Sequence, residues 1–232
     1  MPQPPALGPA DLAAVPLFAD LTPEQCTRLL EGQRTVTFPA TQTLVLEQDD
    51  SQGLFLLRSG LVKVRTITHE GEESALAVLG PGDVCGEMAV LAPGGQRTAD
   101  VVALVSCTAV ILRAAPFTGL LHGEPALALA LARLQARRLQ ALNRRFALGT
   151  ADATTRLLAA LQELAERSAP GAGPCAAIPP LPQRELAVLA GLARETASRG
   201  LSKLRQRGTV RDTADGGLQL ADPGALERRG LL

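Results

Sequence analysis

The spacing of apolar residues changes once along this chain, and that change limits the folds it can adopt. From about Gln33 to Leu112 the sequence consists of short apolar or alternating runs separated by turn residues, which predicts many short strands. After Pro125 the apolar residues recur every three or four positions up to about Leu148, which predicts one long helix. Many short strands favour a sandwich or barrel, so we expect an α+β fold with the sheet first and helices after it.

A short helix is predicted just before the strands, over residues 22–31. Thr22 suits the N-cap, Pro23 suits the first helical position, and Gln25 can complete a capping box. A further helix is predicted over residues 152–168, so we expect two domains, 1–148 and 149–232.

The long helix carries two apolar surfaces. One, which we call the seam, follows a heptad-like spacing and consists of Ala128, Ala132, Gln135, Leu139, Leu142 and Phe146. The other consists of Leu127, Leu131 and Leu134. We interpret one surface as packing on the preceding β-domain and the other as the contact with a second copy. The alternative is a core helix buried within one chain.

Two short helices joined at Gly191 are predicted over residues 182–208, a segment that we call the reader. In the second helix Ala197, Leu201 and Leu204 share one face. The opposite face holds Arg194, Glu195, Ser198, Arg199 and Ser202. Residues 209–213 and 218–220 flank a turn and predict a hairpin, so the motif is a winged helix-turn-helix.

The free face of the reader has side chains that can distinguish DNA bases. Arginine donates two parallel hydrogen bonds to guanine, glutamate accepts from cytosine, and each good contact discriminates by about 1–3 kcal/mol. Residues 182–211 hold two acids, Glu185 and Glu195, and seven bases: Arg184, Arg194, Arg199, Lys203, Arg205, Arg207 and Arg211. We interpret the segment as a surface for double-stranded DNA; the alternative is an amphipathic surface helix with solvated charges.

Two positions in the second helix of the reader are unfavourable for a helix, and a further short helix is predicted after the hairpin. Ala193 replaces a hydroxyl residue at the N-cap of the second helix, and Gly200 lies within that helix, at a cost of about 1 kcal/mol relative to alanine. Asp222 and Pro223 predict the start of a short final helix, with Asp222 as its N-cap.

The net charge of zero hides two unlike halves. Residues 1–130 carry a net charge of −7 and residues 131–232 carry +7, so only the second half is suited to phosphates.

The longest apolar run, Ala126–Ala132, is too short to span a bilayer, and the Pro-rich start does not resemble a signal peptide, so we expect a cytoplasmic protein without a membrane partner. The four cysteines form no CxxC pair, which argues against a zinc site, an iron–sulfur cluster or other metal.

Residues 82–102, which we call the cassette, contain the parts of an anion site. Gly86 opens a tight turn before Glu87, and Arg97 and Thr98 end a Gly-rich loop. Small residues let backbone N–H groups approach a phosphate, arginine supplies a charged fork, and glutamate can accept from a sugar hydroxyl. Each signal is weak by itself, since ordinary β-turns also use glycine and Arg97 could be solvated.

The order of these parts resembles the cyclic-AMP receptor protein family of regulators, the Crp/Fnr superfamily. The resemblance covers residues 12–220. It rests on GEMAVLAPGGQRTA in the cassette, ARRLQ at residues 136–140 and RETASR at residues 194–199. It implies an N-terminal β-roll of the jelly-roll, cyclic-nucleotide-binding type, a dimerisation helix over about 116–148 and a C-terminal winged helix-turn-helix. It also implies a homodimeric, cyclic AMP-gated transcription regulator or activator that contacts RNA polymerase, and no enzyme.

The resemblance assigns roles by position. Those implied for the cyclic nucleotide are Gly86, Glu87, Met88, Arg97, Thr98, Arg138 and Asn143. Those implied for DNA, with a TGTGA-like half-site, are Arg184, Arg194, Glu195, Ser198, Arg199 and Lys203. A contact with RNA polymerase falls in the loop 168–182, whose residues match the family poorly.

The chain departs from the family where the base of the nucleotide is read. Members specific for adenine have a Thr-Ser pair where this chain has Leu142 and Asn143, and leucine has no hydrogen-bonding group. Cyclic AMP, cyclic GMP and no effector at all therefore remain open. Cys26 alone cannot hold the cluster of the oxygen-sensing branch, and no histidine stands near the cassette to bind haem. A different class, a nucleotide-binding subunit whose helix-turn-helix contacts protein, is the remaining alternative.

Overall fold

The computed structural model describes residues 6–50, 53–91 and 94–232; Met1–Pro5 of the predicted first domain and Ala92 and Pro93 of the cassette lie outside it. The first part of the chain contains α1 (Pro9–Ala13), α2 (Pro23–Leu30), β1 (Arg34–Phe38), β2 (Thr43–Val45), β3 (Gly53–Ser59), β4 (Val62–Ile67), β5 (Glu73–Leu79), β6 (Val84–Cys85), α3 (Glu87–Leu91), β7 (Asp100–Ala103) and β8 (Cys107–Arg113). Then follow α4 (Ala114–Gly123), α5 (Pro125–Leu148), α6 (Ala153–Ser168), α7 (Gln183–Leu189), α8 (Arg194–Gln206), β9 (Val210–Asp212), β10 (Leu218–Leu220) and α9 (Gly224–Glu227).

The predicted strands form a β-roll of two antiparallel four-stranded sheets, with strand orders β1-β8-β3-β6 and β2-β7-β4-β5. Phe55 of β3 lies opposite Ile111 of β8 and Cys85 of β6. Buried side chains such as Leu57 and Val101 fill the space between the sheets. Since β6 stands at the end of its sheet, the cassette residues that follow it leave from a sheet edge.

The helix predicted over residues 22–31 is present as α2, with the predicted capping box. The Oγ1 atom of Thr22 accepts from the backbone N of Gln25 at 3.3 Å, and the Oε1 atom of Gln25 accepts from the backbone N of Thr22 at 2.8 Å. These reciprocal bonds satisfy two donors that a helix start otherwise leaves free. α1, α2, α4 and the first turns of α5 share one apolar cluster with β3 and β8.

The segment expected to be one dimerisation helix over about 116–148 is divided in the structure. α4 ends at Gly123, Glu124 has φ −124° and ψ 93°, and α5 begins at Pro125. A proline disfavours helical backbone at the residue before it, which explains the break. Periodicity after Pro125 predicted α5 itself correctly. Leu127 and Leu131 are buried against the β-roll cluster, as expected for one of the two apolar surfaces.

The C-terminal domain is the winged helix-turn-helix that the sequence predicts. α7 and α8 follow α6, and β9 and β10 pair as an antiparallel hairpin. The final helix differs slightly from the prediction: α9 begins at Gly224 with Pro223 at the N-cap, and no side chain caps it. The carboxylate of Asp222 instead pairs with Arg228 at 2.7 Å.

The two domains pack against each other through apolar and charged contacts. Leu61 and Val78 of the β-roll belong to the same buried cluster as the core of α6–α8. The Nζ atom of Lys63, on β4, lies 2.5 Å from carboxylate oxygens of both Glu73 on β5 and Glu185 on α7. Lys63 is only 3% exposed, so it is the buried centre of an ion cluster that links the domains and that also includes Arg65, which pairs with Glu73, and Arg184, which pairs with Glu185. A cleft of about 410 Å³ opens beside it.

Within the described residues, no helix is both long and apolar enough to cross a lipid bilayer.

Candidate functional site

Gly86 holds the turn between β6 and α3 in a conformation that a larger residue would not tolerate. Its φ is +86°, in the left-handed region that favours glycine. A Cβ atom at this position would stand 2.1 Å from Nη1 of Arg97. The glycine therefore lets the arginine of the cassette lie directly against the backbone of the turn.

Arg97 is buried, with 7% of its surface exposed. Its Nη1 donates to the carbonyl oxygen of Gly86 and its Nη2 to that of Gly53, each at 2.8 Å, and its guanidinium lies 5.7 Å from the centre of the Phe55 ring. Burial lowers the pKa of Arg97 from its usual value, yet arginine stays protonated in proteins. In the described part of the chain no carboxylate forms an ion pair with it. The site is thus electrostatically suited to an anion.

Glu87 lies at the start of α3 and is 1% exposed. Its Oε1 accepts from Nη1 of Arg138 at 2.6 Å and from Nε2 of Gln135 at 2.8 Å, and Nη2 of Arg138 donates to the carbonyl oxygen of Val84. The structure therefore brings together Glu87 and Arg138, two residues that the family resemblance placed at one site. Sequence reasoning assigned Gln135 to the seam, although its position three residues before Arg138 on the same helix face could have indicated this contact.

The other residues assigned to the nucleotide lie nearer the surface. Met88 is half exposed and Thr98 is exposed, with the Thr98 Oγ1 atom 4.0 Å from the Met88 Sδ atom. Asn143 is exposed on α5, and among the described residues no hydrogen bond joins it to the cassette. The structure thus assembles Gly86, Glu87, Arg97 and Arg138 more closely than it does Asn143.

The cassette also contains a buried thiol. Burial raises the pKa of Cys85 to about 12, so the thiol stays protonated near neutral pH. Cys26, Cys85, Cys107 and Cys175 are free thiols. No group of three His, Cys, Asp or Glu side chains that could hold a metal ion is found in residues 6–50, 53–91 and 94–232.

The free face of the reader is open to solvent. Arg194, Glu195, Arg199 and Lys203 are exposed on α8, and Ser198 is half-buried. None of the four charged side chains takes part in a salt bridge with another described residue. Ala197, Leu201 and Leu204 are buried on the opposite face, as the spacing predicts. The charged groups are therefore free to contact a partner.

Arg184 differs from the other residues assigned to DNA. It lies on α7 beside the interdomain cleft, and its Nε is 3.3 Å from Oε1 of Glu185, whose other oxygen contacts Lys63. Its side chain is still 64% exposed. Arg184 thus stands at the boundary between the reader and the β-roll.

The two departures of α8 have different structural consequences. Ala193 stands at the N-cap and makes no side-chain cap hydrogen bond. Gly200 lies in a continuous helix, where an added Cβ atom would stand 3.1 Å from Cδ2 of Leu157 on α6. The absence of a side chain at position 200 therefore lets α6 and α8 pack closely.

Arginines hold the turn of the reader at its backbone carbonyls. Nη1 of Arg156, on α6, donates to the carbonyl oxygen of Gly191 at 2.9 Å. Nη1 of Arg145, on α5, donates to the carbonyl oxygen of Leu189 at 2.9 Å, and its Nη2 pairs with Glu163. Carbonyls at a helix end lack partners within the helix, so both donors stabilise the end of α7 and the turn.

Comparison with known proteins identifies both halves. Residues 35–124 match the cyclic nucleotide-binding domain family, and residues 155–229 match the Crp-like helix-turn-helix domain family. A β-roll of this type, a long helix and a Crp-like reader define a DNA-binding transcription regulator and no enzyme.

Individual relatives agree with this class. The chain is 35% identical, over 84% of its length and 88% of the relative's, to the cyclic AMP receptor protein of Thermus thermophilus. It is 29% identical, over 86% of its length and 90% of the relative's, to a CRP-like cAMP-activated global transcriptional regulator of Mycobacterium tuberculosis. The structure of FixK2 from Bradyrhizobium japonicum matches 84% of this chain and 96% of that one, with a TM-score of 0.71 at 19% identity, which supports the fold. The chain belongs to the Crp/Fnr family.

Proposed function

We propose that this regulator is a homodimer, gated by cyclic AMP, that reads a TGTGA-like palindrome. Residues 1–148 form the effector half and residues 149–232 the DNA-binding half. Chromosomal DNA is its partner, so it acts in the cytoplasm. The observation that carries the proposal is the buried, carbonyl-held Arg97, which lacks a carboxylate ion pair within the described residues.

The effector site is formed around that positive charge. The cyclic phosphate pairs with Arg97 and with backbone N–H groups near Gly86, and Thr98 supplies a hydroxyl. Glu87 accepts from the ribose. Its Oε1 atom also accepts from Nη1 of Arg138, on α5, at 2.6 Å. Met88 and Asn143 lie nearer solvent, where they complete the site around the base. The names of the Thermus and Mycobacterium relatives support cyclic AMP as the nucleotide.

The dimer contact is the seam of α5 apart from Gln135, which already donates to Glu87 of its own chain. Leu139 is 59% exposed, Leu142 is 42% exposed and Phe146 is 87% exposed, which is unusual for large apolar side chains along one helix. The Leu127 and Leu131 surface already packs on the same chain, so the seam is the surface left for a second copy. A two-fold dimer presents two readers to two half-sites about 34 Å apart, one turn of DNA.

The DNA contact uses α8 of each copy in the major groove. Arg194 and Arg199 read guanines, Glu195 reads cytosine, and Ser198, Lys203 and Arg184 contact base edges or phosphates. Because binding at one site alters the other through α5, nucleotide and DNA strengthen each other's binding reciprocally. RNA polymerase is the further partner, contacted through the loop 168–182.

Calorimetric titration with cyclic AMP and cyclic GMP tests the effector site. Arg97→Ala is expected to weaken nucleotide binding at least about tenfold, while Arg34→Ala, which removes an exposed arginine of the same β-roll, leaves it unchanged. Failure of both nucleotides to bind at millimolar concentration would refute cyclic nucleotide control.

Gel shifts over a range of salt concentrations test the reader. The double variant Arg194→Ala/Arg199→Ala should lose at least about 30-fold in affinity for a TGTGA palindrome, since each contact contributes about 1–3 kcal/mol. Arg34→Ala, which removes one arginine charge outside the reader, serves as the control and should leave the affinity for the palindrome unchanged. Equal affinity for the palindrome and for random DNA would contradict the proposed operator.

A second candidate is a regulator of the same family that acts without an effector. Leu142, at the position that reads the base, has no hydrogen-bonding group, and Asn143 makes no hydrogen bond to the cassette within the described residues. This candidate predicts palindrome binding that is equally tight with and without either nucleotide. Gel shifts at saturating nucleotide distinguish the two.

A further inference from the structure

One face of α5 carries two arginines whose side chains turn toward their own chain. Arg138 and Arg145 are seven residues apart, which corresponds to two helical turns and about 10.5 Å along the axis. Both are half-buried, whereas the preceding arginines, Arg137 and Arg144, are exposed. The two inward arginines thus lie on one face of an uninterrupted helix.

The first of them contacts the cassette. Arg138 donates to Glu87 and to the carbonyl oxygen of Val84, which ends one sheet of the β-roll. Gln135, one turn earlier, donates to the same oxygen of Glu87 at 2.8 Å. A displacement of Glu87 or α3 therefore acts directly on α5.

The second arginine contacts the DNA-binding half. Nη1 of Arg145 donates to the carbonyl oxygen of Leu189, the last residue of α7, and Nη2 pairs with Glu163 of α6. Oε1 of Glu163 in turn accepts from the backbone N of Val78, on β5, at 3.3 Å. Arg145 thus touches the point where the two helices of the reader join.

We propose that Arg145 is a positioning residue through which α5 sets the orientation of the reader. This inference rests on the proposed function, because it supplies the physical link between the cassette and the DNA contact. α5 transmits movement as a rigid rod from Arg138 to Arg145, and the hydrogen bond to Leu189 transmits it to the reader. Arg145 acts through its contacts with Leu189 and Glu163, within the protein.

Other contacts keep the domains together when Arg145 is removed. Lys63 pairs with Glu185, and Arg167 pairs with Asp83 at 3.1 Å, on different elements from α5. Arg156 still donates to Gly191. Loss of Arg145 should therefore change the orientation of the reader more than its folding.

Operator spacing measures that orientation. DNA with two TGTGA half-sites at the preferred spacing is compared with DNA carrying one or two extra base pairs at its centre, with and without cyclic AMP. Arg145→Ala should reduce the preference for the correct spacing at least about fivefold, and reduce the effect of cyclic AMP on affinity by a similar factor. Affinity for a single half-site should change less than about twofold. Arg145→Lys, which keeps one donor, should recover part of both effects.

Arg144→Ala is the matched control, since it removes an exposed arginine from the same helix. If Arg145→Ala keeps the wild-type spacing preference and the wild-type effect of cyclic AMP, the inference is wrong. A wild-type protein that binds neither nucleotide, or shows no preference for the palindrome, contradicts the proposed function instead.

Hydrogen exchange tests the inference without nucleotide or DNA. Arg138→Ala removes the cassette end of the link and should speed exchange of backbone amides in residues 186–193. In an Arg145→Ala background the same substitution should have no such effect. Equal effects in the two backgrounds, or no effect in either, would show that Arg145 does not connect the two sites.

Discussion

The cassette and the reader use the same two residue types in opposite surroundings. Glu87 and Arg97 of the cassette are 1% and 7% exposed; Glu87 accepts from an amide and a guanidinium group of the protein, and Arg97 donates to two backbone carbonyls. Arg194, Glu195 and Arg199 of the reader are exposed and form no salt bridge with any described residue. The charges of the cassette lose their water when the protein folds, whereas those of the reader lose it only when a partner binds. Desolvation therefore opposes folding in the cassette and binding in the reader.

Loss of a charge should therefore have different consequences in the cassette and in the reader. Buried charges contribute to the shape of a small, preorganised site, so their loss should affect stability as well as ligand binding. Exposed charges face a large partner, and their loss should affect the partner alone.

The largest effect is expected where the two halves meet. Lys63→Met leaves Glu73 and Glu185 without their shared cation, and should lower the free energy of unfolding by about 3 kcal/mol. Arg199→Ala in the reader should change it by less than about 0.5 kcal/mol. Urea denaturation measures both. Equal costs would show that the buried ion cluster does not stabilise the protein, and adding Glu185→Leu to Lys63→Met should recover part of the loss.

A second experiment separates backbone strain from the shape of the cassette. Gly86 and Gly71 both have positive φ, but a Cβ atom meets Arg97 only at Gly86 and has open space at Gly71. Alanine at Gly71 should cost about 1–2 kcal/mol of stability from backbone strain, and alanine at Gly86 should cost at least as much, because Arg97 must also move. Only Gly86→Ala should also weaken cyclic AMP binding, by about tenfold or more in calorimetry. A similar loss in Gly71→Ala would attribute the effect to strain alone.

A third experiment concerns an exposed acid in the DNA-binding half that does stabilise the fold. Asp152 caps α6, and its hydrogen bonds with Thr155 lower the pKa of its carboxyl from 3.8 to about 2. A lowered folded pKa means that the stabilisation is present above about pH 4 and is lost as the pH falls toward 2. Asp152→Ala should cost about 1 kcal/mol at neutral pH.

Asp152→Asn is the matched control, because asparagine keeps a capping oxygen but does not titrate. Its thermal unfolding should show a smaller loss of stability than wild type between about pH 4 and pH 2. If the two proteins lose stability in parallel over that range, other carboxylates cause the loss.

The smallest effect is expected in a pair of helical glycines. Gly119, on α4, has no neighbouring atom within reach of a Cβ atom, so Gly119→Ala should raise stability by about 0.5–1 kcal/mol. Gly200→Ala places its Cβ atom 3.1 Å from Leu157, and should raise stability less or lower it. Calorimetric melting temperatures compare the two, and an equal gain would mean that Leu157 yields without cost.

Local sequence signals predicted the elements and failed at contacts between distant ones. The capping box at Thr22 and the spacing in α8 depend on residues three or four apart, so they could be predicted correctly. The approach of Lys63 to Glu185 joins residues 122 positions apart, and no periodicity encodes it. Heptad spacing places Gln135 in the seam, but it does not reveal that the side chain meets Glu87, which is 48 residues away in the sequence.

The family resemblance supplied what local signals could not. Glu87 and Arg138 lie 51 residues apart, and only the order of motifs along the whole chain placed them at one site. It did not supply Arg145, whose partners on α6 and α7 depend on how this chain packs its domains.

The close packing at Gly200 determines which segment must be replaced as a whole when the operator preference of this protein is changed. Because α8 has no side chain there and rests on Leu157, a transplanted recognition helix with a bulkier residue at that position would not seat on the native α6. A chimera should therefore be joined at Gly149 and Thr150, between α5 and α6, so that both packing partners come from one parent. A junction inside the loop 170–182 would take α6 from one parent and α8 from the other, so the two packing surfaces would not be complementary.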